Sequence, residues 1–109
     1  MILLKEWLVD MKVVDNDNFS NVVLKSDVPV LVDFWGVWCK QLKKSMQELE
    51  DESDGKYKVC LADVEENDEY VNEYRVMSVP TVICFKNGEE VGRISGLHSK
   101  DEYLDLLNI

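Results

Sequence analysis

The eight residues from Val28 to Trp35, V-P-V-L-V-D-F-W, constrain the fold more than any other stretch of this chain. They are nearly continuously apolar and rich in β-branched side chains, which is how a strand covered on both faces reads. A sheet buried on both faces needs a layer on each side, so the chain must supply helices above and below it. One acid, Asp33, interrupts the run.

The flanking sequence supplies those layers. Met11 to Val14 is a short strand candidate, and Asp15 to Asp17 offers caps for a helix carrying Phe19, Val22 and Val23 on one face. After Gly36 to Trp38 the apolar spacing changes to Leu42, Met46 and Leu49, with Lys43, Lys44, Gln47 and Glu48 outside the stripe, so a helix is expected from near Cys39. A turn at Ser53 to Gly55 precedes a second mostly apolar strand, Tyr57 to Val64, and a helix is expected over Glu65 to Tyr74 with Tyr70, Val71 and Tyr74 inward. Ser78 to Phe85 and Glu90 to Ile94 read as antiparallel neighbours joined at Asn87-Gly88, a strong two-residue hairpin signal. Ser99 and Glu102 form a capping-box pattern that opens a last helix bearing Leu104 and Leu107. The order predicts one α/β domain. Its central mixed sheet of about five strands has a parallel core, a C-terminal antiparallel hairpin and helices on both faces. Residues 1–10 read as an N-terminal extension and residues 11–109 as the domain.

Length and charge narrow the partners. A chain of 109 residues has room for one core, and 46% hydrophobic with 31% charged residues is an ordinary globular composition. Twelve basic against 22 acidic side chains give a net charge of −10, a field that repels phosphate backbones and anionic membrane surfaces. Nucleic acid and membrane are therefore not expected as partners. The acids cluster beside apolar residues at helical spacing, as solvated helix faces do. Three cysteines, Cys39, Cys60 and Cys84, fit neither a disulfide framework nor a zinc site, so a reducing, cytoplasmic setting is expected, without a metal or cofactor. The opening M-I-L-L-K-E-W-L-V is interrupted by Lys5 and Glu6 and does not read as a signal peptide.

Three stretches together, V-D-F-W-G-V-W-C, V-P-T-V-I-C-F-K-N-G-E and the late Gly96, resemble the thioredoxin family across essentially residues 11–109. The resemblance implies a thioredoxin fold and thiol–disulfide chemistry. In that family the first strand-to-helix junction carries Trp-Cys-Gly-Pro-Cys-Lys, a proline in cis precedes the hairpin, and an aspartate lies buried beneath the cysteines. By that resemblance Trp38, Cys39 and Lys43 match the active-site run, and Asp33 matches the buried acid. Pro80, with Val79 before it, matches the cis-proline, and Gly96 matches the glycine on the rim of the substrate groove. The chain departs from the family at informative positions. Lys40, Gln41 and Leu42 replace Gly-Pro-Cys, so a leucine stands where the resolving cysteine would be. Gln47 replaces a helix-kinking proline, and Leu61 replaces the lysine that pairs with the buried acid.

The chemistry centres on Cys39. A cysteine in the first turn of a helix has unpaired backbone N–H groups and the positive end of the helix dipole beside its sulfur, which favours the thiolate; Lys40 acts in the same direction. Trp35, Trp38 and the Val79-Pro80 turn offer apolar walls for a partner peptide. A lone thiolate that attacks a disulfide makes a mixed disulfide, whose release needs a second thiol. That thiol would come from glutathione or another external reductant, from a thioredoxin reductase system, from a second subunit, or from Cys60. Cys60 and Cys84 otherwise read as small buried hydrophobes. Asp33 would be a working acid or a retained structural one, and burial should raise its pKa with no lysine at Leu61 to offset it. His98, the single histidine, reads as a surface residue. Three functions fit these residues. One is a monothiol oxidoreductase acting on disulfide-bearing or thiol proteins; another is a redox-inactive binding module that uses the groove of Trp38, Val79, Pro80 and Gly96. The third is a sensor in which an otherwise monomeric chain dimerises through Cys39.

Overall fold

The structure, a computed structural model, describes residues 12–36 and 42–108. Five strands form one sheet: β1 (Lys12–Val14), β2 (Val30–Trp35), β3 (Lys58–Asp63), β4 (Thr81–Lys86) and β5 (Glu89–Ser95). Their spatial order is β1-β3-β2-β4-β5. β3 pairs parallel with both β1 and β2, while β4 runs antiparallel to β2 and to β5. β2 therefore lies at the centre of a mixed sheet, as its unbroken apolar run requires.

Period-two alternation assigns each strand's side chains to one of two cores. On one face Leu31, Val59, Leu61, Val82 and Cys84 meet Leu42, Met46 and Leu49 of helix α1 (Leu42–Asp51), with Tyr103 and Leu107 of helix α3 (Lys100–Leu107). On the other, Val14, Val30, Val32, Phe34, Cys60, Ala62, Ile83 and Phe85 meet Phe19 and Val23. Tyr70 and Val71 of helix α2 (Asp68–Glu73) and the adjacent Tyr74 close over this second core. Phe19 is its centre, stacked on Tyr70 with ring centroids 4.0 Å apart.

Several elements differ in detail from the sequence expectation. The first helical segment, Ser20–Leu24, is a π-helical turn: the Lys25 N–H donates to the Ser20 carbonyl at 3.0 Å. In the turn before it Asp15 Oδ1 accepts the N–H groups of Asp17 and Asn18 at 2.9 and 3.0 Å, while Phe19 at the N-cap position has no side-chain cap bond. α2 begins at Asp68 rather than Glu65: Asn67 stands at its N-cap position with non-helical φ of −131°, and the Asn67 side chain makes no cap bond. Its Nδ2 donates to the carbonyls of Val14 and Asp63, both at 2.8 Å, and so ties the loop to the ends of β1 and β3. Residues 78–80 form the turn that leads into β4, and the Val79–Pro80 peptide is cis. Asn87 and Gly88 both take positive φ, at 52° and 80°, the geometry a two-residue hairpin needs. The capping box at Ser99 and Glu102 is present, and Tyr103 and Leu107 are the buried residues of α3, with Leu104 partly buried.

Candidate functional site

Strand register brings three of the sequence-predicted residues, Trp35, Pro80 and Gly96, to one end of the sheet. Phe34 pairs with Thr81, and Thr81 pairs with Ser95, so the next residues along follow in a row at the same end of the sheet: Trp35, the last residue of β2, still paired with Asp63 of β3, then Pro80 just before β4 and Gly96 just after β5. One contact fixes the last two: the Gly96 N–H donates to the Pro80 carbonyl at 2.8 Å. Gly96 has φ of +89°, while a Cβ there would meet nothing closer than His98 Nε2 at 3.9 Å, so backbone conformation rather than crowding calls for glycine. Thr81 secures the turn from the other side, its Oγ1 donating to the Ser78 carbonyl at 2.7 Å. Pro80 is buried and Val79 half-buried, next to an almost fully exposed Met77.

Beneath this end of the sheet lies Asp33. It is fully buried, directly across from Leu61 on β3 and Val82 on β4, and among the described residues neither carboxylate oxygen has a hydrogen-bond partner. Burial raises its pKa from 3.8 to about 7, and Lys43 partly offsets the rise. That lysine also covers Trp35, its Nζ 4.2 Å from the ring centroid. The family resemblance marks Lys43 only as an active-site match; its contact with Trp35 and its field at Asp33 come from the α1 geometry, which sequence spacing does not reveal.

Trp38, Cys39 and Lys40 lie outside the described residues, as do Gln41 and residues 1–11. Their chain neighbours are described. Gly36 follows the end of β2, and Leu42 opens α1 with its side chain only 2% exposed in the core. The remaining cysteines lie in the two cores. Cys60 and Cys84 are free and fully buried on opposite sides of the sheet. Burial pushes the Cys60 thiol up to about 12 and raises that of Cys84.

The thioredoxin family model matches residues 10–108. This chain belongs to the thioredoxin family. It is 42% identical over 98 residues to a thioredoxin of Rickettsia felis, covering 87% of this chain and 93% of that protein. To a thioredoxin of Staphylococcus epidermidis it is 39% identical over 101 residues, 90% of this chain and 94% of the other. Against thioredoxin 1 of a Nostoc species the match is 37% over 86 residues, 76% and 80% of the two chains. Thioredoxin-family membership implies thiol–disulfide oxidoreductase chemistry. No helix among the described residues is long and apolar enough to cross a membrane.

Two groups at the thioredoxin-like site escape the sequence reading. Tyr103 donates its hydroxyl hydrogen to the Gly96 carbonyl at 3.2 Å and accepts the His98 N–H at 3.0 Å, so a core residue of α3 also holds the rim. Glu102, expected as a cap, reaches His98 Nδ1 at 2.9 Å as well. The four-residue spacing of His98 and Glu102 is the available signal.

Proposed function

We propose that this protein is a thiol–disulfide oxidoreductase that works through Cys39 alone. The observation that carries the reading is Leu42. Where the family resemblance calls for a resolving thiol, an apolar side chain is buried with Leu31 and Met46. Neither of the other two cysteines offers a substitute, since both are buried and their thiolates are disfavoured.

The Cys39 thiolate attacks one sulfur of a partner's disulfide. A Cys39–partner mixed disulfide forms, and the partner's other sulfur leaves as a thiolate. An external thiol of the glutathione class, or a dithiol reductase such as thioredoxin reductase, then attacks the mixed disulfide. One thiol attacks the Cys39 sulfur and releases the partner's second thiolate. A second thiol then attacks the resulting Cys39–reductant disulfide, which returns the Cys39 thiolate and leaves the reductant's two sulfurs joined as a disulfide. The Val79-Pro80 turn and Gly96 would receive the partner backbone, with Trp35, and by the family resemblance Trp38 and Lys40, as further partner-binding residues. Asp33, uncharged over much of the acid range, is suited to holding a proton beneath the site. A reducing cytoplasmic setting and a monomeric chain able to form a Cys39-linked dimer fit the same reading, with residues 1–10 as an extension to the domain.

The test is reduction of insulin disulfides with and without glutathione. Turnover that requires glutathione and disappears in Cys39→Ser supports the proposal. Loss of the second thiol also favours a second reading, a redox-inactive binding module. Absence of turnover in both conditions, with partner capture undiminished in Cys39→Ser, would establish that module instead.

A further inference from the structure

The His98 ring sits between two acceptors. Its Nε2 lies 2.9 Å from the Ser95 carbonyl oxygen and its Nδ1 2.9 Å from Glu102 Oε2. A neutral imidazole carries one N–H, and neither a carbonyl nor an ionised carboxylate can donate, so both contacts together require the imidazolium. Glu102 is well supplied with donors: its Oε1 accepts from the Ser99 N–H at 3.1 Å and the Ser99 hydroxyl at 3.2 Å. These bonds hold its carboxyl below the ordinary range, while Glu102 and the Ser95 carbonyl raise His98 above its own.

The ring thereby spans from β5 to α3. Ser95 is the last residue of β5, Gly96 follows it, and the Gly96 N–H reaches the Pro80 carbonyl. Among the described residues, the titratable groups facing His98 are Glu102 and Tyr103, both on α3, with the Tyr103 ring edge-on at 6.3 Å. β5 contributes only the neutral Ser95 carbonyl. Lys100, the nearby cation, is engaged by Glu52 at 2.6 Å.

We propose that His98 is a positioning residue for the Gly96 rim. Its imidazolium ties the end of β5 to the first turn of α3, and losing one ring proton as pH rises releases one of those ties and loosens the edge on which a partner backbone docks. The docking clause rests on the oxidoreductase reading above; the tie itself does not. With the clamp closed, the rim is preorganised and binding is tighter, so the effect falls on KM rather than kcat.

An NMR titration of the untagged protein tests the tie without any substrate, because His98 is the single histidine in the chain. The expected result is an imidazole midpoint above about 6.5, the ordinary value, with the Gly96 amide moving at the same midpoint. Glu102→Gln should lower that midpoint. A midpoint at or below about 6.5, or a Gly96 amide that ignores it, overturns the proposal. The second arm compares KM for insulin disulfides in wild type and His98→Gln. At pH 6 the variant's KM should be about fivefold higher, the loss of one ordinary hydrogen bond, and at pH 9 the two should converge. A KM ratio that does not change with pH overturns the positioning role. Absence of insulin reduction by either protein overturns only the oxidoreductase reading, since the NMR arm stands without it.

Discussion

Asp33 and Leu61 lie directly across from one another in the parallel register of β2 and β3. The acid is fully buried, with an aliphatic neighbour where the family resemblance calls for a lysine. The two positions explain each other: without a cation across the strand pair, burial holds the carboxyl near neutrality, and Lys43 lowers it only in part.

This makes stability fall with rising pH. An unfolded Asp ionises near 3.8, whereas folded Asp33 holds its proton to about 7. Between those values the folded state binds more protons, so its stability declines as pH rises through the window and levels off above it. The full decline is about 4 kcal/mol, an upper figure for a single group. Asp33→Asn should abolish this component. Urea denaturation from pH 4 to 9 checks it: the variant gains on wild type as pH rises, and parallel curves would refute the assignment.

Supplying the missing cation should reverse the shift. Leu61→Lys puts an ammonium across from Asp33 at a position only 7% exposed, and an opposite charge at that range lowers a carboxyl pKa by about 1–3. Carbonyl-carbon NMR of Asp33 should titrate well below 7 in this variant. Lys43→Met should move it the other way, above about 7, because it removes the cation that lowers it.

Much of this arrangement is legible in residue order. The runs at β2, β3 and β4 announce strands because burial on both faces leaves no polar alternation to confuse the reading, and Asn87-Gly88 announces the hairpin through its backbone demands. The π-helical turn at Ser20–Leu24 leaves no such trace, since its composition suits any helical winding and Phe19 burial selects the register. The start of α2 is obscured because Glu65 and Glu66 suit a helix by composition, yet the chain turns there and Asn67 takes the N-cap position while its side chain binds the carbonyls of Val14 and Asp63. At the site, Asp33, Pro80 and Gly96 are found by resemblance. The roles of Lys43, Tyr103 and His98 depend on how α1 and α3 lie on the sheet, which no local spacing encodes.

The centre of the second core should be intolerant of truncation. Phe19 is fully buried, stacks on Tyr70 and meets Phe85 edge-on at 5.9 Å. Phe19→Ala removes that contact and leaves a cavity costing about 3–5 kcal/mol. Thermal denaturation should show a large fall in Tm, and Phe19→Leu should recover most of it.

A cysteine at position 42 would supply the second sulfur that the family resemblance calls for. Leu42 begins α1 with its side chain in the core, so replacing it by cysteine removes buried apolar volume and should cost about 1–3 kcal/mol, less than truncation to alanine at a typical core site. In exchange, the chain acquires a thiol three residues after Cys39, the spacing at which a thiolate can attack the mixed disulfide from within the same molecule. Leu42→Cys should therefore release partners as an intramolecular disulfide forms. The first insulin turnover should proceed without glutathione, and a dithiol reductant should sustain later ones. Cys39→Ser in the same background should abolish this activity, because the introduced thiol then has no mixed disulfide at Cys39 to resolve. Thiol titration before and after one turnover provides the check. Two thiols should be consumed per chain in Leu42→Cys, with Cys60 and Cys84 remaining protected by burial. A variant that still depends wholly on glutathione would overturn the proposal that Leu42 leaves Cys39 unable to release its partner unaided.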